Sequence, residues 1–514
     1  MRLSAGIIGD SAWYYHPFTF IILAWIGFLA IIVVYRISFH PLAAVPGPWP
    51  AKVTGLYRTY LYWRGTFHED IVSLHKKYGT VVRINTNEVS TVDAVSIKQV
   101  YGFGNKNARK HQFYDAFRLD LPDAFNETDP ANHALIRKRS SNAYSMSSII
   151  AYEPYMQSVL DLCWSKIREY LASNNGEPID MSEWSHHLAF DFISELVCGQ
   201  PMGHLNESKD VGGIRATINS ITKLVVLLGD IPTQTAFLRH PLTTFVQTRI
   251  LKMENPMEGF FQFSVDRVRD RVTGRSGVDR KDMLSHFTYA KSTIEPTADN
   301  IEREILRDVQ TAFGAGSDTT SISMRAIIVY LGLDMDIYKR LQKDIDDFYT
   351  ANNLGALEPL TFKQTQQIPL IRAVVAESIR LVPAISGQLL RVSPGIEVDK
   401  YWIPRGYTIG ISAMAVNKEP SIFGDDAEKF RPDRWLESDD AYTRLDSASM
   451  TFGSGARGCL GKNIALVELQ KFTAQFYRFF EVDLVDKETP WKNEFFMTVN
   501  PHDVRVRLKE RFQR

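Results

Sequence analysis

The chain has 514 residues, 45% of them apolar and 23% charged, enough for a large folded core and too apolar for a disordered chain. Lysine plus arginine and aspartate plus glutamate both number 59, so charge gives no sign of nucleic-acid binding. Three widely spaced cysteines, Cys163, Cys198 and Cys459, exclude a disulfide framework and a paired-cysteine metal site and fit a reducing compartment. Length alone suggests about three domains, but no low-complexity linker and no repeat divides the chain.

Phe18–Tyr35 is an uncharged apolar run of 18 residues. As a helix it covers about 27 Å, close to a thin bilayer core. Trp13, Tyr14 and Tyr15 precede it and Tyr35 closes it, as interfacial aromatics do. Arg36, Lys52 and Arg58 follow, against Arg2 and Asp10 before, which places the downstream side in the cytosol. A cleaved signal peptide fits less well, because the run is long and no small-residue cleavage site follows. The expected organisation is a short lumenal N-terminus (1–17), a transmembrane anchor (18–35), a proline-rich hinge (36–50) containing Pro46-Gly47-Pro48-Trp49-Pro50, and a body (51–514). Asn126 and Asn206 stand in glycosylation sequons that a cytosolic body leaves bare.

In the body, Val81–Ile84 and Val89–Val92 predict two short strands and Val95–Tyr101 a helix. Gly102-Phe103-Gly104-Asn105-Lys106-Asn107 lacks the third glycine of a dinucleotide fingerprint, so no nicotinamide or flavin domain is apparent. Residues 102–127 carry Phe103, Phe113, Tyr114, Phe117 and Phe125 without a clear period. Asp129 and Pro130 predict a helix start, with His133 and Arg137 on one face. Residues 150–290 read mostly as helices, with an apolar stretch over 212–245.

Asp299–Leu331 predicts one long helix interrupted in character by Ala315-Gly316-Ser317-Asp318-Thr319-Thr320. Glycine and paired threonines are poor helix formers, so a local distortion is expected. Glu377 and Arg380 lie three apart on a helix over Leu370–Leu381; Glu304 and Arg307 repeat that spacing. Gly406 predicts a hairpin between Val398 and Ile411. Phe430-Arg431-Pro432-Asp433-Arg434-Trp435 follows, and then Phe452-Gly453-Ser454-Gly455-Ala456-Arg457-Gly458-Cys459-Leu460-Gly461. Four glycines around one cysteine allow a tight turn and close approach to a bulky group. The N-terminus of the next helix and its free N–H groups favour a thiolate there, while an inert buried cysteine is the bland alternative.

The order Phe452, Gly455, Arg457, Cys459, Gly461 closely resembles the haem-binding signature of the cytochrome P-450 family. The resemblance extends over nearly the whole chain: anchor, proline hinge, acid–threonine helix, Glu-x-x-Arg with an arginine box, and cysteine loop. It implies a mainly α fold with small β-sheets and haem b held by Cys459 as axial thiolate ligand, with 51–514 as the catalytic domain. Phe452 and Arg457 then belong to the haem site, Arg391 and Arg137 reach propionates, and His133 stands where relatives often carry Trp. Asp318 and Thr319 deliver protons for oxygen cleavage, and Glu377, Arg380 and Arg434 brace the cysteine loop. Pro383–Ser386, Phe495–Thr498 and the face of Ala312, Phe313 and Ala315 line a lipophilic substrate site roofed by 212–245. Lys138, Arg139, Arg457 and Lys462 form a cationic face for an NADPH–cytochrome reductase, with cytochrome b5 as a second donor. The implied activity is oxidation of a small molecule by O2 in the endoplasmic reticulum membrane, within fungal specialised metabolism near the pisatin-demethylase-like group. A reductase-independent isomerase or dehydratase and a haem-binding sensor or carrier are the alternatives; the intact Asp318–Thr319 pair speaks against the first.

Overall fold

A computed structural model describes residues 12–104, 108–118, 120–174, 176–229, 258–275 and 280–512. Residues 1–11 of the expected N-terminal segment, part of the 102–107 glycine segment and the 230–245 part of the apolar stretch lie outside the described residues.

Helix α1 (Ala12–Val34) ends in a wider turn, Tyr35–Phe39. From Phe18 to Phe39 it is long and apolar enough to cross a membrane, and none of that span is buried against the body. The chain leaving it is tied to the first strand. Buried Arg83 donates to the carbonyls of Arg36 (3.1 Å), Leu42 (3.3 Å) and Thr86 (2.9 Å) and to His40 Nδ1 (3.1 Å). Arg36 in turn donates to the Val53 carbonyl, and the Arg83 amide donates to Pro46 O at 2.7 Å. Gly47 lies so near that a Cβ there would meet Arg83 O at 2.3 Å, so only glycine permits the hinge to lie on the strand.

Helices α2 (Leu56–Trp63) and α3 (Phe67–Tyr78) lead into β1 (Val81–Asn85), β2 (Glu88–Thr91) and α4 (Ala94–Tyr101). Then come α5 (Pro130–Ser140), α6 (Met146–Ser173), β3 (Ile179–Asp180), α7 (Met181–Cys198) and α8 (Ile214–Leu228). As predicted, Asp129 caps α5, accepting from the amides of Ala131 and Asn132 with Pro130 in the first turn. Helix α9 (Ala298–Leu333) is the longest and packs on α7 and, further along, on α10 (Pro369–Leu381) and α11 (Lys462–Phe479).

The C-terminal half carries β4 (Arg391–Val392), β5 (Ile396–Val398), β6 (Tyr401–Ile403), β7 (Thr408–Gly410), β8 (Phe480–Leu484), β9 (Lys492–Phe495), β10 (Val499–His502) and β11 (Arg505–Glu510). The main sheet runs β1-β2-β7-β4, with β2 and β7 parallel. The predicted hairpin is corrected: β5 and β6 turn at Asp399-Lys400, where Asp399 has φ 53°, and Gly406 (φ 88°) instead leads into β7. Aspartate tolerates the left-handed region well enough to make that turn without glycine. Two cores result, a large helical one and a smaller one around the sheet, and α9 contributes to both, with Met324 and Ile327 in the first and Ile322 and Ala326 in the second.

Candidate haem-thiolate active site

The cysteine loop is shaped by its glycines. Gly453 and Gly455 have φ of 64° and 63°, and a Cβ on Gly455 would meet Tyr101 O at 2.1 Å. The Cys459 amide donates to Phe452 O at 2.8 Å, closing the turn. Cys459 stands three residues ahead of α11 and is solvent-accessible. The expected stabilisation of a thiolate by the helix start is present, and burial opposes it. Burial pushes the thiol pKa up, and the amides of Gly461 and Lys462 with the charges of Arg137 and Lys462 only oppose that shift. A metal cation overrides such a balance, since a coordinating thiol is deprotonated.

Four cations gather near this loop. Arg137 donates to Gly458 O at 2.7 Å. Arg391 is buried, 4.9 Å from the centre of the Tyr101 ring, and donates to Leu390 O at 2.9 Å. Lys110, which the sequence did not single out, is buried and donates to the carbonyls of Ala124 (2.9 Å) and Phe125 (2.7 Å). Arg457 Nε is buried and unpartnered. His133 is buried beside them with Nε2 unpartnered. Burial, then Lys110, Arg457, Arg137 and Arg391, hold its pKa down at about 3. Among the described residues no carboxylate is hydrogen-bonded to any of the four cations. Such a concentration of positive charge with orphaned donors fits a dianionic group such as a pair of propionates.

Behind the loop, Glu377 is fully buried. It accepts from Arg380 Nε (2.8 Å), Arg434 Nε (3.0 Å), Trp435 Nε1 (2.8 Å) and the Arg431 amide (2.9 Å). Arg380 reaches Asn417 O at 2.6 Å. Asn417 then accepts from the Met450 amide (2.9 Å) and donates to Thr451 Oγ1 (2.8 Å). The charge network therefore meets the cysteine loop through Asn417, whose role no sequence spacing signalled. Asp433, the acid of the arginine box, points instead to Arg340 at 2.6 Å. The second spacing match is also a buried network: Glu304 accepts from Thr293 N, and Asp308 pairs with Arg139 (3.0 Å) and Arg307 (2.9 Å).

On α9 the expected distortion is absent. The helix is unbroken, and the hydroxyls are satisfied within it: Ser317 donates to Phe313 O (3.1 Å), Thr319 to Ala315 O (2.8 Å) and Thr320 to Gly316 O (2.9 Å). Gly314 and Ala315 are exposed, and Thr319 follows Ala315 by one turn on the same face. Asp318 turns away toward α7, its Oδ1 3.2 Å from His186 Nδ1.

Two further expectations are corrected. Phe313 is fully buried against Phe190 and Phe495 against Tyr62 and Phe67, so both are core rather than lining. Arg139 is buried in its ion pairs, and Lys462 is held by Asp446 at 2.8 Å, so of the four proposed docking cations only Lys138 is freely exposed. The Pro383–Ser386 and Phe495–Thr498 turns do meet, through the Ser386 and Gly387 amides on Met497 O.

The family model for cytochrome P450 matches residues 45–507. The chain belongs to the cytochrome P450 family. It is 30% identical to cytochrome P450 monooxygenase gsfF of Penicillium aethiopicum, over 95% of this chain and 98% of that protein. It is 30% identical to cytochrome P450 monooxygenase cicH of Emericella nidulans, over 94% and 97%. To a pisatin demethylase of Fusarium vanettenii it is 26% identical, over 91% and 89%. This P450 is accordingly a haem-thiolate monooxygenase, an oxidoreductase whose cofactor is haem iron with an axial cysteine. P450 monooxygenases generally take O2, a small-molecule substrate and electrons from a redox partner.

Proposed function

We propose that Cys459 is the axial ligand and that Arg457, Arg391, Arg137 and His133, with Lys110, hold the haem propionates, Phe452 packing at the edge of the loop. The observation that carries this is the meeting of one accessible cysteine, flanked by the Gly461 and Lys462 amides, with four cations that lack carboxylate partners. When bound, the haem supplies activation of O2 and insertion of one oxygen atom into a substrate C–H bond, the other leaving as water. Glu377, Arg380 and Arg434 hold the loop in register through Asn417. Thr319, on the open face of α9, would orient a proton donor for oxygen cleavage. Asp318, one residue earlier, holds the proton source at the α7 side. Ala315 and the Pro383–Ser386 and Phe496–Thr498 turns border a lipophilic substrate.

The substrate class is a lipophilic small molecule of fungal specialised metabolism, a reading supported by the likeness to pisatin demethylase. The exposed apolar helix supports a single-pass anchor. We place it in the endoplasmic reticulum with the body in the cytosol, served by an NADPH–cytochrome reductase and by cytochrome b5. Haem-loaded protein, reduced and exposed to carbon monoxide, should give the absorption of thiolate-bound haem, and Cys459→Ser should abolish it. A histidine-type spectrum would remove Cys459 as ligand. Product formed without NADPH would favour the isomerase, and no product from a lipophilic panel the carrier.

A further inference from the structure

Asp318 has a buried neighbour that the proposed chemistry does not use. His186 lies on α7, 4% exposed, with its two ring nitrogens in different company. Arg325, one further turn along α9 from Ser321, points Nη2 at His186 Nε2 across 3.1 Å. A guanidinium has donors only, so Nε2 must offer its lone pair and the proton must sit on Nδ1. That Nδ1–H is hydrogen-bonded to Ser321 Oγ at 3.2 Å, and Asp318 Oδ1, buried and without a hydrogen bond of its own among the described residues, lies 3.2 Å from the same nitrogen. Arg325 is itself immobilised: it is fully buried and donates to Ser321 Oγ (2.8 Å), Ser321 O (3.1 Å), Asn500 Oδ1 (2.8 Å) and the Pro501 carbonyl.

We propose that His186 is a positioning residue for Asp318: a neutral imidazole, locked by Arg325 as an Nδ1–H donor, that keeps the carboxylate turned to α7 and ionised. Its only lone pair is engaged, so it cannot pass protons itself. Other groups agree with a neutral ring. Burial, Arg325 and Arg215 hold the His186 pKa down at about 4 despite Asp318 beside it, and Glu183 on the same helix is answered by Arg215 at 2.8 Å. The contact with His186, with Arg325 behind it, keeps the Asp318 pKa below the usual carboxylate value in spite of burial. Arg325 also joins this assembly to β10, the strand that leaves the Phe496–Thr498 turn.

The inference rests on Asp318 acting in proton delivery, and the test separates the two. Holoenzyme reconstituted with an NADPH–cytochrome reductase consumes NADPH and O2, and the hydrogen peroxide released per NADPH is measured. Protons delivered late leave O2 reduced only as far as peroxide; protons delivered on time carry it to water. Asp318→Asn should raise the peroxide fraction. His186→Phe should raise it by about threefold or more, since misplacing a reacting group costs up to roughly a hundredfold. His186→Gln, whose amide N–H and carbonyl reproduce the donor and acceptor, should bring it back toward the wild-type fraction. An elevated fraction in Asp318→Asn with none in His186→Phe overturns the positioning role alone. No change in Asp318→Asn overturns the relay and the positioning role together. A glutamine variant as leaky as the phenylalanine one also overturns it, because a donor–acceptor pair would then not be the cause.

A second readout needs no turnover. Histidine-15N-labelled, carbon-monoxide-bound ferrous protein should show the His186 resonances, identified by their loss in His186→Gln, as a non-titrating Nδ1–H tautomer from about pH 6 to 8. An Nε2–H tautomer, or titration in that range, overturns the proposal.

Discussion

Arg137 Nη1 donates to the carbonyl of Gly458, the residue directly before Cys459, at 2.7 Å. One guanidinium thus fixes the peptide that carries the ligand while adding charge to the cation cluster. Arg137→Ala removes a charged hydrogen bond of about 1.5–3 kcal/mol, so haem loss to an acceptor protein should accelerate roughly tenfold or more. Arg137→Lys keeps the charge without the fork and should fall between.

Thr319→Ala removes the hydroxyl that stands one turn beyond Ala315 on the open face of α9. Haem content and the carbon monoxide spectrum should stay as they are, while peroxide per NADPH rises and product per NADPH falls. Unchanged coupling would take Thr319 out of proton delivery.

Glu377→Gln leaves the buried guanidinium of Arg380 without its charge partner and Arg434 with Asp426 alone. Breaking a buried pair in this way costs about 3–5 kcal/mol, which should appear as a lowered thermal midpoint and loss of bound haem. Substituting Asn417 by Ala should reproduce the haem loss with a smaller drop in stability, because it severs the loop from the network and leaves the charges paired.

Acid should weaken the fold before carboxylates titrate. Burial holds the pKa of His75 and His187 at about 4, below the unfolded value of 6.5. The native state then binds fewer protons than the unfolded one between these values. Stability should be flat above about pH 7 and fall as pH drops from 6.5 toward 4, by up to about 1.4 kcal/mol per pH unit for each histidine. Denaturant midpoints across that range check the slope.

Membrane orientation can be read at Asn206, which is exposed, whereas Asn126 is buried and accepts from the Asp123 amide at 3.0 Å. A cytosolic body predicts no glycosidase-sensitive mass on Asn206 in a secretory-competent host. A glycan there would reverse the assigned topology.

Motifs set by chain-local spacing were legible in the sequence: the glycine-shaped cysteine turn, the Asp129 cap and the Glu377–Arg380 pair all act within a few residues of themselves. Lys110, His186 and Asn417 were not legible, because His186 and Asn417 meet partners on distant segments of the chain and Lys110 bonds only to backbone carbonyls. Phe313 and Phe495 show the converse limit. An apolar side chain beside a catalytic motif carries no mark of whether it faces a guest or the core, and packing against Phe190 and Tyr62 decided both. Propensity counts glycine and threonine as poor helix formers, while the packing of α9 on α7, α10 and α11 overrides it and keeps the helix whole.

The bundle of bonds around Arg83 turns the membrane tether into a bracket. With Arg36, His40, Leu42 and Pro46 all fastened to the first strand, the body does not swing on a loose leash. With α1 seated in a bilayer, the tilt of the body toward the lipid would follow from the fold, and an electron donor in the same bilayer would meet it at a preset angle.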